Sequence, residues 1–211
     1  MARLSAIWYG ALLEVRLGNA ERVAARADDM RALVDEFALA HGRTACRWFR
    51  AWADARMGEP REAYRRIREA YEDNARLGML TGASEILGYA TEALFLAGDV
   101  DAARKQLEEA LQLAGRLGER VYLTQLHLLD ARIADAHGEP DRARGSVRRA
   151  LDEARAQEAP WLEMLALSAL CERPEATPED RASLGAALES ISGAGDTAPV
   201  ATARTLLKHR R

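Results

Sequence analysis

The stretch Gly58-Glu-Pro-Arg-Glu-Ala-Tyr-Arg-Arg-Ile-Arg-Glu-Ala70 decides the fold, because it holds a helix stop followed directly by a helix start. Glycine is favoured just past a helix end, where the backbone takes a left-handed conformation. Proline two residues later is favoured in the first turn of the next helix. The stretch therefore predicts a tight turn between two helices, and Ala63, Ile67 and Ala70 then share one face of the second helix.

The same phrase returns elsewhere in the chain. Related phrases begin at Gly18, Gly98 and Gly138, so successive glycines of this set are 40 residues apart. A fixed period of this length is typical of a solenoid, in which each hairpin of helices buries its apolar face against the next. Alternating apolar runs typical of strands are absent, so we expect an all-α fold of antiparallel helical hairpins.

A second break divides each repeat into two helices. Gly78 and Gly118 supply it in the second and third repeats, His41-Gly42 in the first and Glu158-Ala-Pro160 in the fourth. The predicted helices are 2–17, 20–40, 43–57, 60–77, 80–97, 100–117, 120–137, 140–157 and 161–171, then one from the capping box Thr177-Pro-Glu-Asp180 to the break at Ser192-Gly-Ala-Gly195, and a last one over 199–209. We expect one domain over 1–211, with repeats at about 2–41, 42–78, 79–118 and 119–158 and a less regular cap over 159–211.

The second helix of each hairpin resembles the tetratricopeptide repeat. Counted from the turn glycine, that family has alanine at +5, a large apolar residue at +9 and alanine at +12, and it has a small residue at −7. The matching residues are Ala63, Ile67 and Ala70, then Ala103, Leu107 and Ala110, then Ala143, Val147 and Ala150, with Ala11, Ala51, Thr91 and Ala131 at −7. The first repeat departs, with Val23, Ala27 and Met30. The resemblance implies a right-handed α-solenoid whose period exceeds the usual value of about 34 residues.

A wider resemblance concerns the C-terminal helical-repeat region of bacterial signalling NTPases. These are maltose-activator-type regulators of the LuxR family and NTPase modules fused to nucleotide cyclases. The similar phrases are Gly118-Glu-Arg-Val-Tyr-Leu-Thr-Gln-Leu-His-Leu-Leu129, Ala150-Leu-Asp-Glu-Ala-Arg-Ala-Gln157 and Asp196-Thr-Ala-Pro-Val-Ala-Thr-Ala-Arg-Thr-Leu-Leu207. The resemblance implies a module that receives a signal and passes it to an NTPase domain, which would lie upstream.

Composition is typical of a folded globular protein and disfavours two classes of partner. The net charge is −3, whereas nucleic-acid-binding domains usually carry a clustered basic patch. No segment approaches the run of about 18 apolar residues that a membrane span requires. We therefore expect neither nucleic acid nor a membrane as a direct partner, and a cytoplasmic location. Cys46 and Cys171 lie in different repeats, and we expect both to be reduced thiols.

The sequence contains no pattern typical of a catalytic or metal site. It lacks a Gly-x-x-x-x-Gly-Lys-Ser/Thr loop and a Gly-x-Ser-x-Gly turn. His127 and Asp130 form the one helical His/carboxylate pair of note, while His41 and His137 are expected at helix ends and His209 in a basic tail. We expect no enzymatic activity, no cofactor and no metal. The enzyme hypothesis would require a cluster of His, carboxylate or Cys side chains in a pocket.

The first helices of the hairpins would line the concave surface of such a solenoid. By the spacing of the tetratricopeptide pattern, the partner-binding groove consists of Trp8, Arg16, Trp48, Trp52, Arg56, Glu85, Glu92, Phe95, Gln125 and Arg132. Aromatic and arginine side chains are enriched among residues that dominate binding energy. The alternative is that the tryptophans fill the core between hairpins, because aromatic residues at helical spacing are more often core.

We expect a non-catalytic scaffold that binds a protein, a peptide or a small effector. The first hypothesis is the sensor or coupling module of a bacterial signalling NTPase or transcriptional regulator. The alternative is a free-standing adaptor that takes a peptide or a partner helix in its groove. The first helix already carries Leu4, Trp8, Tyr9 and Leu13, whereas terminal repeats usually have a polar outer face. A homodimer through this uncapped helix is therefore a further expectation.

Overall fold

The computed structural model describes residues 2–191 and 195–208, and every regular element in those ranges is an α-helix. The all-α prediction is thus confirmed. The chain divides into two compact units, Met1–Leu117 and Gly118–Arg211. Among the described residues, no helix is both long enough and apolar enough to span a lipid bilayer.

The first unit contains six helices joined by short turns. They are α1 (Ala2–Leu17), α2 (Ala20–Glu36), α3 (Ala40–Arg56), α4 (Pro60–Arg76), α5 (Ala83–Leu96) and α6 (Val100–Leu117). Within this unit consecutive helices pack together from α1 to α6, and α3 also packs against α5. Short turns between contacting helices make neighbours antiparallel, so α1, α3 and α5 run in the same direction.

The second unit is built in the same way from shorter helices. They are α7 (Leu123–Ala136), α8 (Pro140–Ala156), α9 (Pro160–Cys171), α10 (Pro178–Ser190) and α11 (Ala198–Lys208). Consecutive helices pack together, and α9 also contacts α7 and α11. The predicted capping box is confirmed at the start of α10, where Asp180 N–H donates to Thr177 Oγ1 at 3.1 Å and Thr177 N–H donates to Asp180 Oδ2 at 2.8 Å.

The glycines that decide the fold behave as predicted at the helix ends. Gly18, Gly58, Gly98 and Gly138 follow α1, α3, α5 and α7, with φ angles of 77°, 114°, 78° and 71°. A side chain in this region of φ clashes with the backbone, so glycine is favoured there. Pro60 and Pro140 are the first residues of the helices that follow.

The residues that carry the repeat pattern lie in the core. Those at +5, +9 and +12 from the turn glycines have at most 2% of their surface exposed, including Val23, Ala27 and Met30 of the divergent first repeat. The small residues at −7 are equally buried, with Thr91 fully enclosed and its hydroxyl donating to the Leu87 carbonyl oxygen at 2.9 Å. Small residues at these positions let the helices approach closely.

The predicted break at His41-Gly42 is wrong. Helix α2 ends at Glu36 and α3 begins at Ala40, so both residues lie in the first turn of α3, and His41 is not at the C-terminal end of a helix, where it was expected. The turn is instead closed by Ala38, whose φ of 51° is left-handed although it is not glycine. Ala38 is therefore the equivalent in the first repeat of Gly78 and Gly118 in the second and third. In the fourth repeat the equivalent residue is Glu158, with φ of 49°.

Smaller differences affect other helix ends. Helices α5 and α7 begin at Ala83 and Leu123, three residues later than predicted, because the preceding residues form turns. His137 caps the C-terminal end of α7, as expected. Of the break predicted at Ser192-Gly-Ala-Gly195, residues 192–194 lie outside the described ranges, as does His209.

Candidate functional site

The parallel helices α1, α3 and α5 bring eight of the predicted groove residues onto the first unit. Trp8 and Arg16 lie on α1, Trp48, Trp52 and Arg56 on α3, and Glu85, Glu92 and Phe95 on α5. Gln125 and Arg132 lie on α7 of the second unit, the former half-buried and the latter exposed. The candidate site is therefore described on the first unit alone.

Trp48 and Trp52 are core residues in this structure. Their exposed fractions are 3% and 2%, whereas Trp8 is half-buried. This is the arrangement that the core interpretation of the tryptophans predicts. A partner can contact the site through the half-buried or exposed members of the set, such as Trp8, Arg56 and Phe95.

The aromatic rings of α1, α3 and α5 form one cluster, which we call the aromatic cluster: Trp8, Trp48, Phe49, Trp52 and Tyr89. The Trp8 ring meets Trp48 nearly at right angles, with 5.7 Å between centroids, and Trp48 stacks on Tyr89 at 5.6 Å. Edge and stacked contacts of this kind add to the free energy of burial. The cluster thus fixes the three helices against one another beneath the predicted groove.

Two carboxylates of α5 tie this helix to α1 and α3. Glu85 accepts a hydrogen bond from Arg16 Nη2 at 3.0 Å and another from the Tyr89 hydroxyl at 2.6 Å, both on Oε1. Glu92 accepts from Trp52 Nε1 at 2.8 Å. These side chains are mostly shielded from water, which strengthens charge-assisted hydrogen bonds.

Arg56 completes the second of these networks. Its Nη2 donates to Glu92 Oε1 at 2.5 Å, and its guanidinium lies 4.8 Å above the centre of the Trp52 ring. A guanidinium over an indole gains a cation–π attraction. Arg56 is the exposed end of a chain of contacts that leads into the core, so a partner bound at Arg56 would act directly on Trp52.

A pocket of about 470 Å³ opens between α1, α3, α5 and the turn that joins α4 to α5. We call it the α1/α3/α5 pocket. Its apolar walls are Trp8, Leu12, Trp48, Met79, Leu80 and Ile86, and its polar walls are Asn74, Thr81 and Glu85. The volume and the mixture of apolar walls with few polar groups are typical of ligand sites.

Several of these residues are not part of the groove predicted from sequence. Tyr89 lies one turn after Glu85 on α5, so a search for partners at i+4 spacing would have found it. Asn74 lies on α4, and its side-chain oxygen accepts a hydrogen bond from Thr44 Oγ1 at 2.5 Å. The pocket residues 79–82 lie in the turn between α4 and α5. The groove was predicted from positions on the first helix of each hairpin, so the prediction could not include Asn74 or the turn residues 79–82.

A second pocket, of about 280 Å³, lies between α2, α3 and α4. Its cationic walls are Arg31, Arg43, Arg47, Arg50 and Arg66. Carboxylates compensate most of this charge: Arg50 Nη1 donates to Asp28 at 3.1 Å, and Arg66 Nη1 donates to Asp54 at 2.9 Å. Arg47 is bonded to Asp73. Because these guanidinium groups already have acidic partners, the pocket does not offer a strong field to an anion.

Both cysteines are free and buried, as expected for reduced thiols. Burial raises the pKa of Cys46 to about 11, and its Sγ–H donates to the Gly42 carbonyl oxygen at 3.1 Å. Burial also raises the pKa of Cys171. A thiol that stays protonated at neutral pH is a poor nucleophile, so neither side chain suggests covalent chemistry.

The pair that the sequence singled out for chemistry, His127 and Asp130, lies in the second unit. Asp130 is buried and accepts hydrogen bonds from Ser146 Oγ at 2.5 Å and Arg142 Nη2 at 2.9 Å. His127 Nδ1 is buried without a hydrogen-bond partner. Within the described ranges, no group of three or more His, Cys, Asp or Glu side chains could hold a metal ion.

His127 should make the stability of the second unit depend on pH. Burial lowers its pKa below the ordinary value of 6.5, and the nearby Arg149 acts in the same direction against Asp130 and Glu153. The unfolded chain then binds the proton more readily, so this stabilisation is complete above the unfolded pKa and declines as pH falls below it. We expect the melting temperature to fall more between about pH 7.5 and 5 in the wild type than in His127→Gln. Parallel curves for the two proteins would contradict the burial of this imidazole.

No protein-family model, curated protein or solved structure matches this chain.

Proposed function

We propose that this chain is a non-catalytic binding scaffold, the sensor or coupling module of a bacterial signalling NTPase or transcriptional regulator. In this proposal the hairpins form a right-handed tetratricopeptide-like solenoid with a period of 40 residues. The observation that supports it best is the convergence of predicted groove residues from α1, α3 and α5. The Arg16–Glu85 and Arg56–Glu92–Trp52 contacts join these three helices, and a pocket lies beside them.

The contacts suggest how a binding event would be transmitted. A partner that competes for Arg56 would release Glu92 from its hydrogen bond to Arg56 and uncover the Trp52 ring. Closely packed cores respond to such changes by shifts between discrete arrangements. The site thus has both an accessible group and a direct connection to the packing of α3 against α5.

The test uses the P-loop NTPase that this proposal requires to be encoded upstream of the chain; if no such reading frame exists, the coupling-module proposal fails. The purified chain is added to that NTPase, and ATP hydrolysis and binding are recorded. We expect a changed hydrolysis rate, and we expect Arg56→Gln to weaken the interaction by at least about tenfold, as for an arginine that dominates an interface. Arg65→Gln is the matched control, because Arg65 is exposed on α4 and bonds only locally to Glu62 and Glu69.

Other outcomes assign the chain differently. Equal effects of the two arginine substitutions would overturn the role of the α1/α3/α5 face. If the NTPase does not respond but a peptide selected by display binds and Arg56→Gln weakens it, the chain is a free-standing adaptor.

A second copy of the chain is the other proposed protein partner. Tyr9 and Leu13, one turn apart on α1, have 70% and 58% of their surface exposed. Such a pair of apolar side chains on one helix face is available for contact with another copy. Light scattering over a concentration series, recorded with the NTPase assay, distinguishes a monomer from a homodimer formed through this face.

A further inference from the structure

The α1/α3/α5 pocket has a definite balance of charge. Among the described residues that line the pocket, Glu85 is the one ionisable side chain, and Arg16 on α1 forms an ion pair with its carboxylate at 3.0 Å. Only 16% of the Glu85 side chain and 20% of the Arg16 side chain are exposed. Glu85 would repel an anion in the pocket. A cation would gain little attraction, because Arg16 already neutralises the charge of Glu85. The pocket therefore favours a ligand without net charge.

The polar groups in the wall call for a ligand that both donates and accepts hydrogen bonds. Both hydrogen bonds to Glu85 end on Oε1, and a ligand donor would find Oε2 as its acceptor. Trp48 lines the same pocket, is 97% buried, and its Nε1 has no hydrogen-bond partner. The indole N–H is a donor only, and burying a donor without an acceptor destabilises the folded chain. A hydroxyl or amide group on the ligand would offer an acceptor for the Trp48 N–H and a donor for the Glu85 carboxylate.

We propose that the α1/α3/α5 pocket binds a small, uncharged molecule with an aromatic or aliphatic body and a hydroxyl or amide group. The inference rests on the proposed function, because it makes this molecule the effector that the scaffold senses. The body packs between Trp8, Leu12 and Ile86, and the polar group reaches Glu85 and Trp48. Such a molecule would contact α1, α3 and α5 together, since the pocket draws its walls from all three helices.

Three probes that share one ring system test the choice of charge. They are naphthylethanol, naphthylethylamine and naphthylacetate, which at neutral pH are respectively uncharged, cationic and anionic. We expect naphthylethanol to bind at least about tenfold more tightly than either charged probe, which corresponds to about 1.4 kcal/mol. Binding is followed by the indole N–H signals in nitrogen-15 NMR. The signal of Trp48, assigned with Trp48→Phe, should move, while that of Trp161 in the second unit should not.

Two substitutions locate the bound probe. Thr81→Phe adds a large side chain at an exposed position in the wall of the pocket and should abolish binding, whereas Thr202→Phe on the exposed face of α11 should not. Glu85→Gln removes the carboxylate charge opposite Arg16 and keeps the shape of the side chain. We expect this variant to shift preference toward naphthylacetate by about tenfold relative to naphthylethanol. A purely structural effect of Glu85 would change all three affinities equally.

The outcomes separate this inference from the proposed function. Absence of binding by naphthylethanol, equal binding of the three probes, or a Trp48 signal that does not move would each overturn it. The response of the NTPase to the chain would be unaffected by that failure, because Arg56 is not part of the pocket wall. Conversely, probe binding with no NTPase response would leave a small-molecule site on a chain of another function.

Discussion

Replacing Trp52 by alanine is expected to lower the free energy of unfolding by about 3–5 kcal/mol, as is usual when a large aromatic side chain is removed from a core. Trp52 is 2% exposed, its ring contacts Tyr89 with 6.3 Å between centroids, and its Nε1 donates to Glu92. The substitution leaves a cavity and removes one hydrogen bond from a shielded carboxylate. Chemical denaturation of the two proteins, with the denaturant dependence compared to check two-state unfolding, measures the loss.

Trp52→Phe separates the two contributions. Phenylalanine retains most of the apolar volume but cannot donate to Glu92, which keeps its bond to Arg56. We expect a loss of about 1–3 kcal/mol, the usual cost of losing one partner of a buried charge-assisted hydrogen bond. A loss below about 1 kcal/mol for Trp52→Ala would contradict its place in the core. It would favour instead the interpretation of Trp52 as a residue presented to a partner.

Gly42→Ala is expected to destabilise the chain by about 1–3 kcal/mol, the usual cost of overfilling a packed core. A Cβ atom at this position would lie 2.4 Å from Cγ2 of Val34, a fully buried residue on α2. Valine has one strongly preferred rotamer in a helix, so it cannot turn away without strain. Helices α2 and α3 would have to move apart at this contact.

Gly115→Ala is the matched control for this prediction. Gly115 lies within α6, is exposed, and has nothing within 4 Å of an added Cβ. Alanine there should stabilise the helix by about 0.5–1 kcal/mol. The double variant of Gly42→Ala with Val34→Ala should lose less free energy of unfolding than the sum of the two single losses, because Val34→Ala removes the clash. Additive losses would show that Gly42 matters for a reason other than contact with Val34.

Gly42 also shows where reasoning from sequence fails. Glycine indicates either a left-handed turn or a close approach of two helices, and the local pattern does not distinguish them. The turn glycines at 18, 58, 98 and 138 could be predicted because Asn, Glu or Asp follows each of them and the spacing repeats. The turn at Ala38 could not, because alanine is an unusual residue in that conformation.

The candidate site was predictable to a similar extent. Counting from the turn glycines assigned Arg16, Glu85, Trp52 and Glu92 to one groove. In the structure Arg16 donates a hydrogen bond to Glu85, and Trp52 donates one to Glu92. The burial of Trp48 was anticipated only as one of two alternatives, because helical spacing places an aromatic residue on a helix face but does not determine whether core or partner covers that face. The pocket was also out of reach, since its wall includes the turn at 79–82, whose path only the packed structure determines.

The left-handed conformation of Ala38 affects how the first unit opens. A residue with a Cβ atom in this conformation carries about 1–2 kcal/mol of strain that glycine would not. The strain lies in the turn between α2 and α3, so we expect it to lower the cost of detaching the α1–α2 hairpin as a sub-global unfolding event. Trp8 and Leu12 leave the α1/α3/α5 pocket when that hairpin detaches. A molecule bound in the pocket would therefore hold the hairpin in place. The fraction of chains in which the N-terminal hairpin is docked would then rise with ligand concentration.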